Sequence, residues 1–561
     1  MGSSFFKMFR GNRPQDPMED PKTAHVFLDS LPKNDPLGLL EAIVAMLEDR
    51  GAGMTLMSSN RVQALLVLDR GSLVAQSTAL LQYRAPNISD DARRRLWHAG
   101  NGLSRWFAHA YERASAANVP AADSKGSLAV PLHGIYSRMF HYRGVQAKLG
   151  LFRHESWIPG SWKVLHDAYR QALARSDPGE PFGLEETASG SGRTSAEQEF
   201  IEILLLQRVN SGNLSIEEVE CASNWLMSWA QRLKLEKAPP TGDGFWLDLN
   251  RSEGLLGDRP PAAGEDLLYL DIGPLHQQLG ATIGRLSVQL GQPGAIIGAP
   301  EQRAASEQLK LARRLDPLWR PHAEHRPRRG ERKIEKGTIV VAAGWTAIAT
   351  AISLPSSPGR PEGHRGYSFE DVTSVQVYGH VRNLAGDRFG TTIQKSPDRH
   401  EWQMHDTSDS GVRIMSSTRE AQKQQIGALL ALRAEGDLRW QIGIVRRLRR
   451  RTAEHTELGV EVVARQVQMM LVTRASARDG GYTGDTVAGT TEFSALDLRP
   501  LHAAKAPIRS MIMPAAEFTP GRSLSITFSG ARRDIRLFAP LEQTREWVWT
   551  AYEMAGEAKR A

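Results

Sequence analysis

Two polar clusters in this chain have residue types and spacings suited to holding a flat, anionic guest. The first is the run RRGER, in which Arg328 and Arg332 stand four residues apart with Arg329 beside them. A guanidinium presents a planar fork of N–H donors that matches two oxygens of a phosphate. The same fork fits the O6/N7 edge of guanine. The second cluster is DTSDSGVRI at 406–414, where Asp406, Ser408 and Gly411 lead into an apolar stretch. Ionised Asp406 only accepts hydrogen bonds, so it suits the N–H donors on guanine's other edge. Ser408 adds a small hydroxyl that donates or accepts. Gly411 tolerates positive φ and lets a flat base come close to the backbone. One cluster therefore suits phosphate and the Hoogsteen edge, and the other suits the donor edge.

This arrangement resembles a known family. RxxxR ahead of a small β-barrel, with (D/N)xSxxG on a later strand, is similar to the signature of PilZ domains, bacterial receptors for cyclic di-GMP. Arg328 and Arg332 match the first motif, and Asp406, Ser408 and Gly411 match the second in full. The downstream segments WQIGIVRRL and ELGVEVV look like the closing hairpin of such a barrel. The resemblance covers residues 325–470. It implies that the arginines hold the ligand's phosphates and guanine, and that the Asp–Ser–Gly strand surrounds one base. The ligand is then cyclic di-GMP, bound singly or as a stacked pair, with no further cofactor. The implied partner is an unidentified protein of motility, pilus or exopolysaccharide machinery. The two motifs lie 74 residues apart, where the family spaces them by a few tens. The excess is assigned to an uncharged stretch and to a proline- and glycine-rich loop at 353–370.

Positioning those clusters requires a multidomain chain. At 561 residues the length suggests three or four domains. Hydrophobic residues make up 41% and charged residues 24%, ordinary for a soluble globular protein. The formal net charge is +7, which favours anionic partners without choosing among them. Cys221 is the only cysteine, so no intrachain disulfide forms and a cysteine-based zinc site is not expected. No signal peptide is read at the start. The uncharged stretch 337–359 has too short an apolar core for a spanning helix and ends in Pro355 and Pro358, so a buried strand with a second short element is expected there. A cytoplasmic protein without a membrane span is expected.

The fold class expected is α+β multidomain: an all-α N-terminal half, then a PilZ-like antiparallel β-barrel, then a further β-rich segment ending in a helix. Residues 1–22 read as a disordered lead and 23–316 as helical. In the latter, PLGLLEAIVAMLEDR places Leu40, Ile43, Val44 and Leu47 on one face, and Ser215 with Glu218 has capping-box spacing. Residues 317–336 read as a basic linker. The stretch 313–336 holds nine Lys or Arg against four acids. Short β-branched segments from 337 to 470 suggest the barrel, and 471–561 reads as strands closed by an amphipathic helix over 541–555.

Other readings stay open at this point. A degenerate barrel serving only as an interaction scaffold would leave Asp406 and Ser408 in an ordinary turn. RRLRRR at 446–451 invites a nucleic-acid reading, but its place at a hairpin, with Glu454 and Glu457 just beyond, makes that the weakest of the three. The histidines show no zinc spacing. With no Walker A, GxGxxG or GxSxG pattern, no enzyme is expected.

Overall fold

In the computed structural model the described residues are 16–50, 57–85, 88–117, 130–155, 161–183, 192–209, 212–257, 260, 264, 266–291, 300–321, 333–334, 336–353, 399–408, 410–437, 439–450, 455–474, 492–499, 509–528 and 531–554. Two compact units divide the chain, Met1–Gln292 with Ala304–His325, and Pro293–Arg303 with Arg326–Ala561.

The first unit is helical. Its main helices are α1 (Pro21–Ser30), α2 (Pro36–Arg50), α3 (Ser59–Arg84), α4 (Asp90–Ala116), α5 (Leu132–Phe152), α6 (Ser161–Arg175), α7 (Ala196–Arg208), α8 (Ile216–Trp229), α9 (Gly273–Gly291) and α10 (Pro300–Leu315). Side chains close several N-termini. Ser215 and Glu218 form the capping box read from the sequence, and Ser195 with Gln198 forms another. The helices share one apolar core, in which Leu40, Ile43 and Leu47 of α2 are buried as their spacing requires. Inside it lies a buried carboxylate, Asp69, which accepts from Tyr111 Oη at 2.5 Å, Tyr142 Oη at 2.5 Å and Arg138 Nη1 at 2.6 Å. The paired guanidinium and the phenols offset the cost of burying that charge. Helix α3 is long and apolar enough to cross a membrane by length and composition, the one such helix among the described residues. Ten of its residues are buried. Two short ribbons complete the unit, β1 (Phe182–Gly183) with β2 (Arg193–Thr194), and β3 (Leu235–Glu236), β4 (Gly244–Asp248) and β5 (Leu267–Asp271) in the order β3-β5-β4.

The second unit holds two closed barrels of six strands each. The first uses β6 (Gly337–Ala343), β7 (Arg399–Ser408), β8 (Gly411–Ser416), β9 (Leu429–Ala434), β10 (Gln441–Arg450) and β11 (Thr456–Ala464). The second uses β12 (Gln466–Arg474), β13 (Glu492–Arg499), β14 (Ser510–Pro514), β15 (Ser523–Phe528), β16 (Ala531–Gln543) and β17 (Trp547–Met554). Numbered one to six along each chain segment, the strands follow the same ring order in both, 1-4-5-6-3-2, with every neighbour antiparallel. The second barrel is thus a topological duplicate of the first. Only Arg465 separates them, so the run ELGVEVVARQVQMMLVT contributes to both, and β12 starts the second barrel.

Each barrel buries its own interior. Ile339, Trp402, Ile414, Leu448, Leu458 and Val460 fill the first, and Val472, Met511, Leu524, Ile526, Ile535 and Leu537 fill the second. A third apolar cluster joins them. From the first barrel come Ala342, Leu429, Ala431, Ile442, Ile444 and Val463, and from the second Leu496, Leu498, Ile512 and Trp547. The uncharged stretch is β6 followed by α11 (Trp345–Ser353), whose Ala347, Ile348 and Ala351 pack into this joint. Trp547 Nε1 also donates to the Gly427 carbonyl at 3.1 Å.

The helix expected over 541–555 is corrected here. Leu541–Gln543 end β16, and Trp547–Met554 form β17. Trp547 and Trp549 face the joint while Tyr552 and Met554 face the barrel interior. Because both faces are covered, the strand reads as a continuous apolar run, which periodicity cannot separate from a helix. The loop expected at 353–370, apart from its first residue, lies outside the described residues, as does the stretch 371–398 of the expected barrel.

Trp547→Ala should cost about 3–5 kcal/mol in denaturant unfolding of the full chain, because it empties the joint between the barrels. Phe538→Ser on β16, a position 44% exposed, should stay within about 0.5 kcal/mol.

Candidate functional site

The run DTSDSGVRI folds as a hairpin. Asp406, Thr407 and Ser408 end β7, and Gly411 opens β8 directly opposite Ser408. The Ser408 hydroxyl donates to the Gly411 carbonyl at 3.2 Å across the turn. Gly411 is not among the glycines with positive φ, so conformational freedom is not its reason. Crowding is: a Cβ there would stand 2.9 Å from the Val460 carbonyl oxygen on β11. The close neighbour in this structure is a strand.

The pairing of β7 with β8 slips by one residue at His405. Met404 faces Ile414, but Asp406 faces Arg413. Such a bulge places one extra residue on β7 and turns the strand's side chains over beyond it. Before the slip Met404 packs inward with Ile414 and Leu458. After it, Asp406 joins Arg413 on the outer face, and Thr407 pairs with interior Val412. Asp406 Oδ2 meets Arg413 Nη2 at 2.5 Å, and Arg413 Nη1 lies 3.7 Å from Glu457 Oε1. The carboxylate is only 4% exposed. Asp406 is thus a buried carboxylate with a cation beside it.

Ladder partners carry this outer face across the sheet. Arg413 is opposite Gly459 and Gly411 is opposite Glu461 on β11. Arg447 is opposite Gly459, and Arg449 is opposite Glu457, on β10. The RRLRRR run therefore starts inside a strand, and its cations sit among carboxylates. Arg446 marks the border of the face. It donates to Glu461 Oε2 at 2.7 Å and, by both terminal nitrogens, to Glu542 of the second barrel at 2.5 and 2.6 Å. Burial works against the Arg446 charge, but the hydrogen bonds and field of Glu542, then of Glu461, outweigh it and hold its pKa above the usual arginine value.

Arg328, Arg329 and Arg332 lie outside the described residues. Lys333, next in sequence after Arg332, is described and pairs with the motif. Its N–H donates to the Thr407 carbonyl at 2.9 Å, and the Thr407 N–H donates back at 3.0 Å. Thr407 is the residue between Asp406 and Ser408. The chain leaving the arginine motif thus runs antiparallel against the Asp–Ser strand, ahead of the β6–β7 ladder. No group of three His, Cys, Asp or Glu able to hold a metal occurs among the described residues.

Sequence reasoning missed Arg413, Gly459 and Arg446. Arg413 stands inside the quoted run, but simple alternation counted from Asp406 does not place it opposite that carboxylate without the bulge. Gly459 carries no local signal apart from strand pairing, and Arg446 was visible only as the head of the basic run RRLRRR, without its partners.

Two family models match the chain. Residues 22–241 match that of the N-terminal domain of the cyclic-di-GMP receptor FimW, and residues 376–468 match that of its middle PilZ domain. Together they span more than half of the chain. The second interval contains Asp406, Ser408 and Gly411 and begins after the arginine cluster. No curated protein and no solved structure matches.

Gly411→Ala should destabilise the chain by about 1–3 kcal/mol in thermal or denaturant unfolding, since the new methyl must push β8 from β11.

Proposed function

The chain belongs to the family of the cyclic-di-GMP receptor FimW, and on that footing we propose that it binds cyclic di-GMP on the outer face of the first barrel, against the Asp406–Gly411 hairpin. In this reading the ionised Asp406 accepts the N1–H and N2–H donors of one guanine. Ser408 contributes its hydroxyl beside the base. Arg328 and Arg332, with Arg329, supply forked donors to the phosphates and to guanine O6/N7.

The observation that carries the reading is the double hydrogen bond between Lys333 and Thr407. It brings the chain immediately following the arginines alongside the two polar residues of the hairpin. Residues four apart in a short segment anchored this way are within reach of one small ligand. Arg328 and Arg332 also belong to the sequence joining the helical unit to the first barrel. Ligand contacts there restrain that connector and favour whichever arrangement binds the ligand better. The output is a protein partner in a bacterial cytoplasm, in motility, pilus or exopolysaccharide control as the PilZ resemblance implies.

Calorimetric titration of the full chain tests this. Cyclic di-GMP should bind at micromolar concentration or tighter. Arg328→Ala and Arg332→Ala should each cost about 1.5–3 kcal/mol of binding, a loss of about ten- to two-hundredfold. Asp406→Asn, which keeps the side chain's shape but removes the charge facing Arg413, should weaken binding and also lower the unfolding midpoint, so its affinity is read at a temperature where the variant is fully folded. Absence of heat with the unmodified chain, or wild-type affinity in both arginine variants, overturns the proposal.

A further inference from the structure

We propose that Arg413 is a positioning residue that sets the guanine specificity of the site; the inference rests on the receptor reading above. The bulge at His405 places Asp406 opposite Arg413 on the outer face, and the 2.5 Å contact to Oδ2 holds the carboxylate. A carboxylate that recognises a base must present its oxygens in the plane of the base edge. A free aspartate would pay rotamer entropy to do so at binding. Arg413 meets that cost in advance by holding the carboxylate in one orientation through its guanidinium.

On β11 the ladder partner of Arg413 is a glycine, Gly459, and a Cβ there would sit 3.1 Å from Arg447 Cβ. Nη1 is drawn toward Glu457 at 3.7 Å, so the guanidinium is held from two sides. Among the described residues its buried Nε–H has no hydrogen-bond partner. Leaving such a donor unsatisfied is unfavourable. The arrangement is thus costly as a purely structural contact.

An oriented acceptor pair discriminates between purines. Guanine offers N1–H and N2–H to Asp406, whereas adenine puts an N1 lone pair in the same place, against the carboxylate. Discrimination by a site built around buried polar groups is larger than that of an apolar pocket. If Arg413 fixes the acceptor, removing it should loosen discrimination as well as affinity.

The test titrates the full chain with cyclic di-GMP and with cyclic di-AMP. Arg413→Ala should lower affinity for cyclic di-GMP about tenfold or more and shrink the ratio between the two ligands. Arg413→Lys keeps the charge and the stem but loses the fork, and should recover affinity more than discrimination. Should the alanine variant fail to fold, the lysine variant decides by the same ratio. In the Asp406→Ala background, Arg413→Ala should add little, because both act through one carboxylate. Additive losses, or an unchanged ligand ratio in the arginine variants, overturn the inference while the receptor reading stands. A wild-type chain that binds neither dinucleotide overturns both.

Discussion

One extra residue in β7 governs the face on which the account rests. Without the slip at His405, Asp406 would follow Met404 into the barrel interior, where an ionised carboxylate is costly to bury. With it, Asp406 and Ser408 stand outside beside Arg413 and Gly411. Their immediate neighbour Thr407 closes the interior with Val412. The bulge also sets where the chain after Arg332 docks, since Lys333 pairs with Thr407 just past the slip. The pairing of Asp406 with Arg413 and the docking of Lys333 on Thr407 therefore share a single backbone irregularity.

The two barrels show how the same ring order serves opposite ends. In the first, the outer side of its second, third and sixth strands carries Asp406, Ser408, Arg413, Gly459 and Glu461. In the second, the corresponding side carries Leu496, Leu498, Ile512 and Trp547, and is buried against the first barrel. A polar face in one copy is an apolar docking face in the other. Arg446 stands where these meet, tied to Glu461 beside the hairpin glycine and to Glu542 across the joint. Arg446 thus ties β11, beside the hairpin, to the second barrel.

Much of this was legible in the sequence, for identifiable reasons. Helices with 3/4 spacing and a Ser–Glu cap declare themselves locally, as at α2 and α8. The strands of the first barrel are short, rich in β-branched residues and punctuated by Gly, Asp or charge clusters. The hairpin motif was readable because Asp, Ser and Gly each have a distinct polar or steric use. The final strand was not, since aromatic and aliphatic residues covered on both sides mimic a helical stripe. The bulge left no trace in composition, so the partnership of Asp406 with Arg413, and the burial that follows from it, emerged only from the register. The role of Gly411 shifted likewise, from permitting an unusual φ to admitting a neighbouring carbonyl.

The most direct test of where the ligand sits is hydrogen exchange of the full chain with and without cyclic di-GMP. The account predicts slower exchange concentrated in the peptides spanning 326–336 and 399–416, with the interior strands β14 and β15 of the second barrel unchanged. Slowing confined to the helical unit or to the second barrel, with the hairpin peptide unaltered at saturating ligand, would contradict it.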